Sequence, residues 1–366
     1  MPSAEERIKE IDEELAKTHY NKNTQHHIGR LKAQLARLRD AVELRRSKGP
    51  KTAGYAVRKS GHATVALVGF PSVGKSTLLN KITNAQSAVA EYKFTTLTVV
   101  PGVMEYRGAK IQILDLPGLI KDASKGKGRG REVLSVVRSA DMILLMIDVF
   151  ETNIQVLVEE LKTANLRLNQ RPPDIVVAKK NRGGIIVNFT TKQSVMDEDL
   201  VKDMMNEYGH TNADVVIRDD IDEDQLIDSI SGNRLYVPAI AVINKTDLVN
   251  ETYLKLIQKR LKEWKIVPIA AEKDIGLEKL REDIYNALKF IRIYMKPQGK
   301  DADMVEPLVI KDGSDIGMIC DSIHREFRKN FRYAQIWGKS ARFPGQIVGL
   351  DHRVVDQDIV TIIVKR

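Results

Sequence analysis

Residues 69 to 76 read Gly-Phe-Pro-Ser-Val-Gly-Lys-Ser and follow the apolar run Ala63 to Val68, which puts a glycine-rich turn between a buried strand and the start of a helix. This spacing suits a nucleoside triphosphate. Gly69 and Gly74 let the backbone turn sharply enough for successive N–H groups to face one anion, and the helix beginning near Lys75 aims its positive end at the same point. The Lys75 ammonium is expected on the β and γ phosphates. The Ser76 hydroxyl is expected on a Mg²⁺ bridging those phosphates, since Mg²⁺ takes oxygen ligands and favours sites shared with phosphate. Pro71, Ser72, Val73 and Thr77 complete the expected cradle.

Four further segments define which triphosphate is bound and what can happen to it. Asp115-Leu-Pro-Gly118 closes a strand with a carboxylate able to hold Mg²⁺ through water and a glycine whose N–H can meet a γ phosphate. Between it and the phosphate loop, Glu91 to Leu97 is rich in hydroxyls. Thr96 is the expected residue that closes over Mg²⁺ and γ phosphate, with Thr95 as the alternative. Lys75, Thr96 and Gly118 are therefore the expected catalytic contacts, and Ser76, Thr96 and Asp115 the expected metal ligands. Asn244-Lys245-Thr246-Asp247 ends a later strand, and its Asp247 carboxylate selects the base. Guanine offers adjacent N1–H and N2–H donors that one carboxylate accepts together, whereas adenine lacks the amino group. Asn244 can brace the loop and approach O6, and Ala270-Ala271-Glu272 after the next strand can offer O6 a backbone N–H. GTP or GDP is the expected ligand.

Elements to carry these groups are visible in the pattern. From about residue 60 to 170 strands and helices alternate, with Ile111 to Asp115 and Met142 to Asp148 as further strands and a helix from Thr152 to about Leu168, the signature of an α/β sheet covered on both faces. The alternation resumes with a strand from Leu235 to Ile243 and closes with a helix from about Gly276 to Phe290. The intervening segment reads as an α+β insertion opened by a hairpin, Ile175 to Ala178 and Ile185 to Phe189. Ahead of the sheet, Ile28, Leu31, Leu35, Leu38 and Val42 recur at helical spacing after a first helix with Ile8, Ile11 and Leu15, predicting an antiparallel helical hairpin with its basic face outward. The stretch Pro297 to Asp301 reads as a linker to a β-rich C-terminal domain. The expected domains are 1–58, a basic helical region; 59–171 and 235–292, the two parts of the nucleotide-binding domain; 172–234, the insertion; and 293–366, the C-terminal domain.

With 366 residues, 43% of them hydrophobic, the chain has material for several cores. The net charge is +9, and cations crowd residues 30 to 59, Arg30, Lys32, Arg37 and Arg39 among them. A polyanion partner fits that balance, and no DNA partner is expected. A single cysteine forms no internal disulfide, the opening MPSAEERIKEIDEEL has acids where a signal sequence is apolar, and the apolar stretch Met142 to Val149 is too short for a bilayer. A cytoplasmic protein without a membrane anchor is expected.

Taken together, GFPSVGKSTLLNKIT, EYKFTTLTVVPGVMEYRGAKIQILDLPGLI, GKGRGREVLSVVRSAD, NRLYVPAIAVINKTD and RIYMKPQGKD resemble the DRG (developmentally regulated GTP-binding) family of the Obg GTPase superfamily over nearly the whole chain. The resemblance implies a Ras-like P-loop G domain with an α+β insert, an N-terminal helical region and a C-terminal TGS domain of β-grasp fold. It also implies association with ribosomes and translation factors, and a dedicated stabilising protein partner. Two departures bear on mechanism. Ras-type enzymes carry a glutamine after the DxxG motif to orient water, and this chain has Leu119, so slow intrinsic turnover raised by a partner is expected. Ser72 stands where many relatives have an asparagine that helps bind K⁺, which leaves K⁺ activation open. The loop Lys125 to Arg131 is expected to change shape with the γ phosphate, and its Arg129 and Arg131 are more simply solvated than catalytic. Against the GTPase reading stands an RNA-binding scaffold in which guanine nucleotide is structural.

Overall fold

The computed structural model describes residues 4–19, 21, 24–47, 61–83, 100–116 and 129–365. Two helices, α1 (Ala4–Lys17) and α2 (Gln25–Ser47), come first. The apolar run then forms β1 (Ala63–Gly69), buried along its whole length, and turns through the glycine-rich loop into α3 (Lys75–Ile82). An antiparallel ribbon follows, β2 (Val100–Tyr106) with β3 (Ala109–Asp115), and then α4 (Arg129–Ser139), β4 (Met142–Asp148) and α5 (Ile154–Thr163). The helix expected to reach Leu168 stops earlier. Asn165 adopts φ 66°, the left-handed conformation that ends helices, and the next residues form β5 (Leu166–Leu168), buried throughout.

The insertion continues with β6 (Ile175–Lys179), β7 (Ile185–Phe189), α6 (Glu198–Glu207), β8 (Ala213–Ile217), α7 (Glu223–Ser231) and β9 (Leu235–Val237). β6 and β7 are not a hairpin. The later strand β8 lies between them, antiparallel to β6 and parallel to β7. Residues Lys180 to Gly184 allow this, because five residues reach about 16 Å and the two strand spacings to be crossed need only about 10 Å. β8 holds the centre because Ala213, Val215 and Ile217 are fully buried on one face, under Leu200, Val201 and Met204 of α6.

Helix α2 belongs to this unit, which spans 1–54 and 165–236. Ala33 and Ala36 join the core under α6 and α7, and a Cβ at Gly29 would lie 2.7 Å from Leu200 Cδ1, so the glycine permits close packing. The described cations of the basic run each meet an acid or a carbonyl within the unit, while Arg30, Arg37 and Arg39 stay exposed as expected. Lys32 meets Glu223 and Asp224 at 3.4 and 3.3 Å, Arg39 meets Asp12 at 3.0 Å, Arg30 lies 3.7 Å from Glu207, and Arg37 donates to the Glu207 carbonyl at 2.5 Å. Deeper in, Asp228 accepts both Nε and Nη2 of Arg167 at 2.6 Å and Nε of Arg234 at 3.0 Å, while Arg234 also reaches Asp40 of α2 at 3.4 Å. All but Asp40 have side chains less than a tenth exposed. Asp228→Ala leaves two buried guanidinium groups facing each other and is expected to cost about 3–5 kcal/mol. Hydrogen exchange reads this locally, as lost amide protection in α2, α6 and α7.

The second unit resumes with β10 (Ala239–Asn244), α8 (Glu251–Arg260), β11 (Ile266–Pro268) and α9 (Leu277–Ala287). Pro238 splits the single strand expected from Leu235 to Ile243, since it has no N–H for a ladder. β9 pairs with β5, and β10 enters the main sheet. That sheet runs β11-β10-β4-β1-β3-β2, parallel except for β2. The C-terminal ends of the parallel strands lie along one edge, where ligands bind in such folds.

The remaining residues form β12 (Phe290–Met295), β13 (Leu308–Lys311), α10 (Ile316–Ile323), α11 (Arg325–Lys329), β14 (Phe331–Trp337), β15 (Gln346–Val348) and β16 (Ile359–Val364). The order β13-β12-β16-β14-β15, with a parallel β12–β16 pair and α10 on one face, is the β-grasp arrangement. Its first strand begins at Phe290, where a helix end was expected, so Pro297 to Asp301 is a turn inside this sheet and not a link between domains. Lys289 at φ 52° makes the break after α9. Phe290 and Val309 pack into the core of the parallel sheet, and Asp141 accepts Lys311 Nζ at 3.1 Å with one oxygen and Thr64 N–H at 3.0 Å with the other.

Candidate functional site

The loop after β1 holds a shape that only its glycines allow. A Cβ on Gly69 would lie 2.2 Å from the Met146 carbonyl, and one on Gly74, at φ 93°, would lie 2.4 Å from Asn244 Nδ2. Ser72 also sits at positive φ, 60°. Val73 is buried in the core beneath the loop, Pro71 is exposed, and Thr77 lines the cavity above α3. Lys75 Nζ crosses the mouth of the loop, donating to the carbonyls of Gly69 at 3.1 Å and Phe70 at 2.8 Å. Burial lowers its pKa below the ordinary lysine value, with the Asp115 carboxylate opposing the shift.

Ser76 Oγ donates to Asp115 Oδ2 at 2.5 Å, which brings the ends of α3 and β3 together. Asp115 is buried, and its Oδ1 has no hydrogen-bond partner among the described residues. An orphaned carboxylate oxygen beside a hydroxyl is a donor set that fits Mg²⁺, which keeps its remaining positions for water and phosphate. No cluster of three His, Cys, Asp or Glu side chains suited to a metal occurs among the described residues, where Ser76 and Asp115 are the expected ligands that the structure places together.

At the other end of the cavity, Asn244 staples two loops. Its Nδ2 donates to the Val73 carbonyl at 2.8 Å and its Oδ1 accepts the Ala271 N–H at 3.0 Å. The side chain is thus a brace, and its oxygen is already engaged. Ala270 N–H goes to the Ile275 carbonyl, so of the three amides anticipated for O6 that of Glu272 alone has no acceptor among the described residues. Lys245, at φ 61°, reaches back over the phosphate loop to the Ser72 carbonyl at 2.9 Å and to Asp148 Oδ2 at 2.6 Å. Burial would raise the Asp148 pKa, but the Lys245 ammonium and the N–H groups of Glu151 and Phe150 outweigh it and hold the carboxyl below its usual value. Asp247 pairs with Lys273 at 2.9 Å, and that hydrogen bond is the main reason its pKa is lowered.

These groups enclose a cavity of about 530 Å³ that runs from Lys75 and Ser76 to Asp247 and Glu272. The volume lies in the range of small-molecule sites. Four contributors were not anticipated from the sequence: Asp148, Phe150, Leu248 and Lys273. Asp148 ends its strand as Asp115 does, which was a signal open to reading; the others sit in turns with no periodicity. Thr95, Thr96, Gly118, Leu119 and residues 125–128 lie outside the described residues, as do the side chains of Arg129 and Arg131.

Comparison with known proteins sets the chain among GTP-binding proteins. A family model described as a 50S ribosome-binding GTPase matches residues 64–180, one described as the C-terminal region of that domain matches 182–290, and a TGS domain model matches 291–364. An uncharacterised GTP-binding protein of Methanocaldococcus jannaschii is 55% identical over 365 residues, covering 99% of this chain and 93% of that one. The developmentally-regulated GTP-binding protein 1 homolog of Dictyostelium discoideum is 44% identical over 98% of this chain and 99% of its own. Developmentally-regulated GTP-binding protein 1 of Xenopus laevis is 43% identical, covering 98% of both. A Ras-like sheet with its phosphate loop, a β-grasp C-terminus and relatives matched over nearly their whole length lead to one assignment: the chain is a GTP-binding protein belonging to the DRG family of the Obg GTPase superfamily.

Proposed function

We propose that this protein hydrolyses GTP to GDP and phosphate, slowly by itself, and acts as a switch read by the ribosome. The observation that carries the reading is Asp115, whose buried oxygen beside Ser76, without a partner among the described residues, is what a γ-phosphate-sensing Mg²⁺ site needs and what a purely structural nucleotide site does not. Ser76 would ligate Mg²⁺ directly and Asp115 through water, and the ion would neutralise charge on the β and γ oxygens. Lys75 would move from the Gly69 and Phe70 carbonyls onto the phosphates, Asp247 would fix guanine, and Thr96 with Gly118 would meet the γ phosphate.

Leu119 cannot orient water, because it neither donates nor accepts a hydrogen bond, so a partner is the expected source of that group. The description of the matching family as ribosome-binding, and the TGS domain, support the ribosome as that partner. RNA contact, a stabilising protein partner and a cytoplasmic setting belong to the same reading; no described helix is long and apolar enough to cross a membrane. Single-turnover hydrolysis measured with and without ribosomes tests it. A rate at least about tenfold higher with ribosomes supports the switch, and equal rates overturn it. Repeating the assay in KCl and NaCl reads whether a monovalent cation acts beside Ser72.

A further inference from the structure

Phe150 is an exposed aromatic with no place in any core. It is 71% exposed, two residues after β4, and it lines the cavity together with Leu248, itself 59% exposed and the neighbour of Asp247 in the chain. Both apolar surfaces are therefore offered to whatever occupies that part of the cavity. The placement is built. β4 and β10 run side by side with Asp148 opposite Asn244, so the residues that follow each strand emerge together. Asp148 then fixes both sides with one carboxylate: Oδ1 accepts the N–H groups of Phe150 at 3.0 Å and Glu151 at 2.8 Å, and Oδ2 holds Lys245 at 2.6 Å. The Lys245 ammonium lies 6.0 Å from the centre of the Phe150 ring.

A carboxylate such as Asp247 grips the edge of a purine but leaves its tilt free. A flat ring against one face removes that freedom, and stacking does so regardless of the edge pattern. We propose that Phe150 is a wall of the guanine cleft, its ring packing on the face of the base whose edge Asp247 reads. This rests on the reading of the cavity as a GTP site. Phe150 then supplies affinity and Asp247 supplies choice. Neither role touches the phosphates, so GDP and GTP depend on Phe150 equally.

Equilibrium titration of the full chain with GDP, GTP and IDP tests the assignment. Phe150→Ala is expected to raise the Kd for GDP and GTP by the same factor, about tenfold, as for loss of one stacked base. The ratio of GDP to IDP affinity, which reports reading of the N2 amino group, stays unchanged. Phe150→Trp is expected to restore affinity and to add an emission that GDP quenches, over a background set by Trp264 and Trp337 in the wild type. A Kd for Phe150→Ala within twofold of wild type, or a Phe150→Trp emission indifferent to saturating GDP, overturns the proposal. Failure of the underlying site reading looks different: wild type and Lys75→Ala would then show the same negligible GDP binding.

Discussion

Asp247→Asn is expected to weaken GTP binding by about three orders of magnitude and to transfer the preference to XTP. Guanine presents two donors to the carboxylate, N1–H and N2–H, and an amide can accept only one of them while its NH₂ group is driven against the other. A site built to hydrogen-bond a ligand loses roughly 10⁴-fold when a partner is left unpaired, and adjustment of the short turn at Thr246–Leu248 should recover part of that. Xanthine carries a carbonyl at C2, which accepts from the amide NH₂ while N1–H donates to its oxygen. Competition of GTP and XTP for the purified variant measures both effects. Retained GTP affinity would mean that the base is read elsewhere. Lys273, which pairs with Asp247, loses its counter-charge in the variant, but it is well exposed, so solvent takes up that loss.

Lys75→Ala is expected to lower the hydrolysis rate by about 10³-fold or more, with a smaller loss of affinity. The backbone of the loop still cradles the phosphates, while the charge that follows the γ phosphate into the transition state is gone. The ammonium lies between two carbonyls in the free protein, so little rearrangement separates it from the phosphate. A pH profile adds a second readout with a definite sign. Burial lowers the Lys75 pKa, and the protonated amine is the useful form. Therefore kcat/KM, which reports the free enzyme, should fall on the alkaline side below the ordinary lysine value of 10.5. Comparing kcat with kcat/KM for the variant separates loss of transition-state contact from loss of binding.

The phosphate loop and the turn proposed to read guanine were legible as segments because the chemistry expected of them is local. Gly69, Gly74, Lys75 and Ser76 lie within eight residues, and the expected reading of the base needs only the Asp247 carboxylate. Elements chosen by distant partners were less legible. Nothing between Ile175 and Phe189 reveals that Ala213, Val215 and Ile217 will claim the place between β6 and β7. The partners that the basic run around Arg37 meets, Glu207, Glu223 and Asp224, could not be read from the run itself, because they lie far along the chain. Phe290 was assigned to a helix because α9 and β12 are separated only by Leu288 and Lys289. Lys245 was marked as part of a motif, yet its grip on Asp148 depends on β4 and β10 being neighbours, a fact of topology and not of spacing.

That neighbourhood also sets a timetable. β4 lies between β1, made before it, and β10, which the ribosome delivers only after about 90 further residues. At about 5–20 residues per second, one edge of Met142–Asp148, apolar along nearly its whole length, waits roughly 5–20 s for its partner. The inserted segment uses the interval. Its ends meet as β5 and β9, and the helix it packs on, α2, has already emerged, so it can close its own core before β10 arrives. The nucleotide site is therefore assembled late in synthesis, and the exposed flank of β4 is where a nascent chain of this protein most needs shelter.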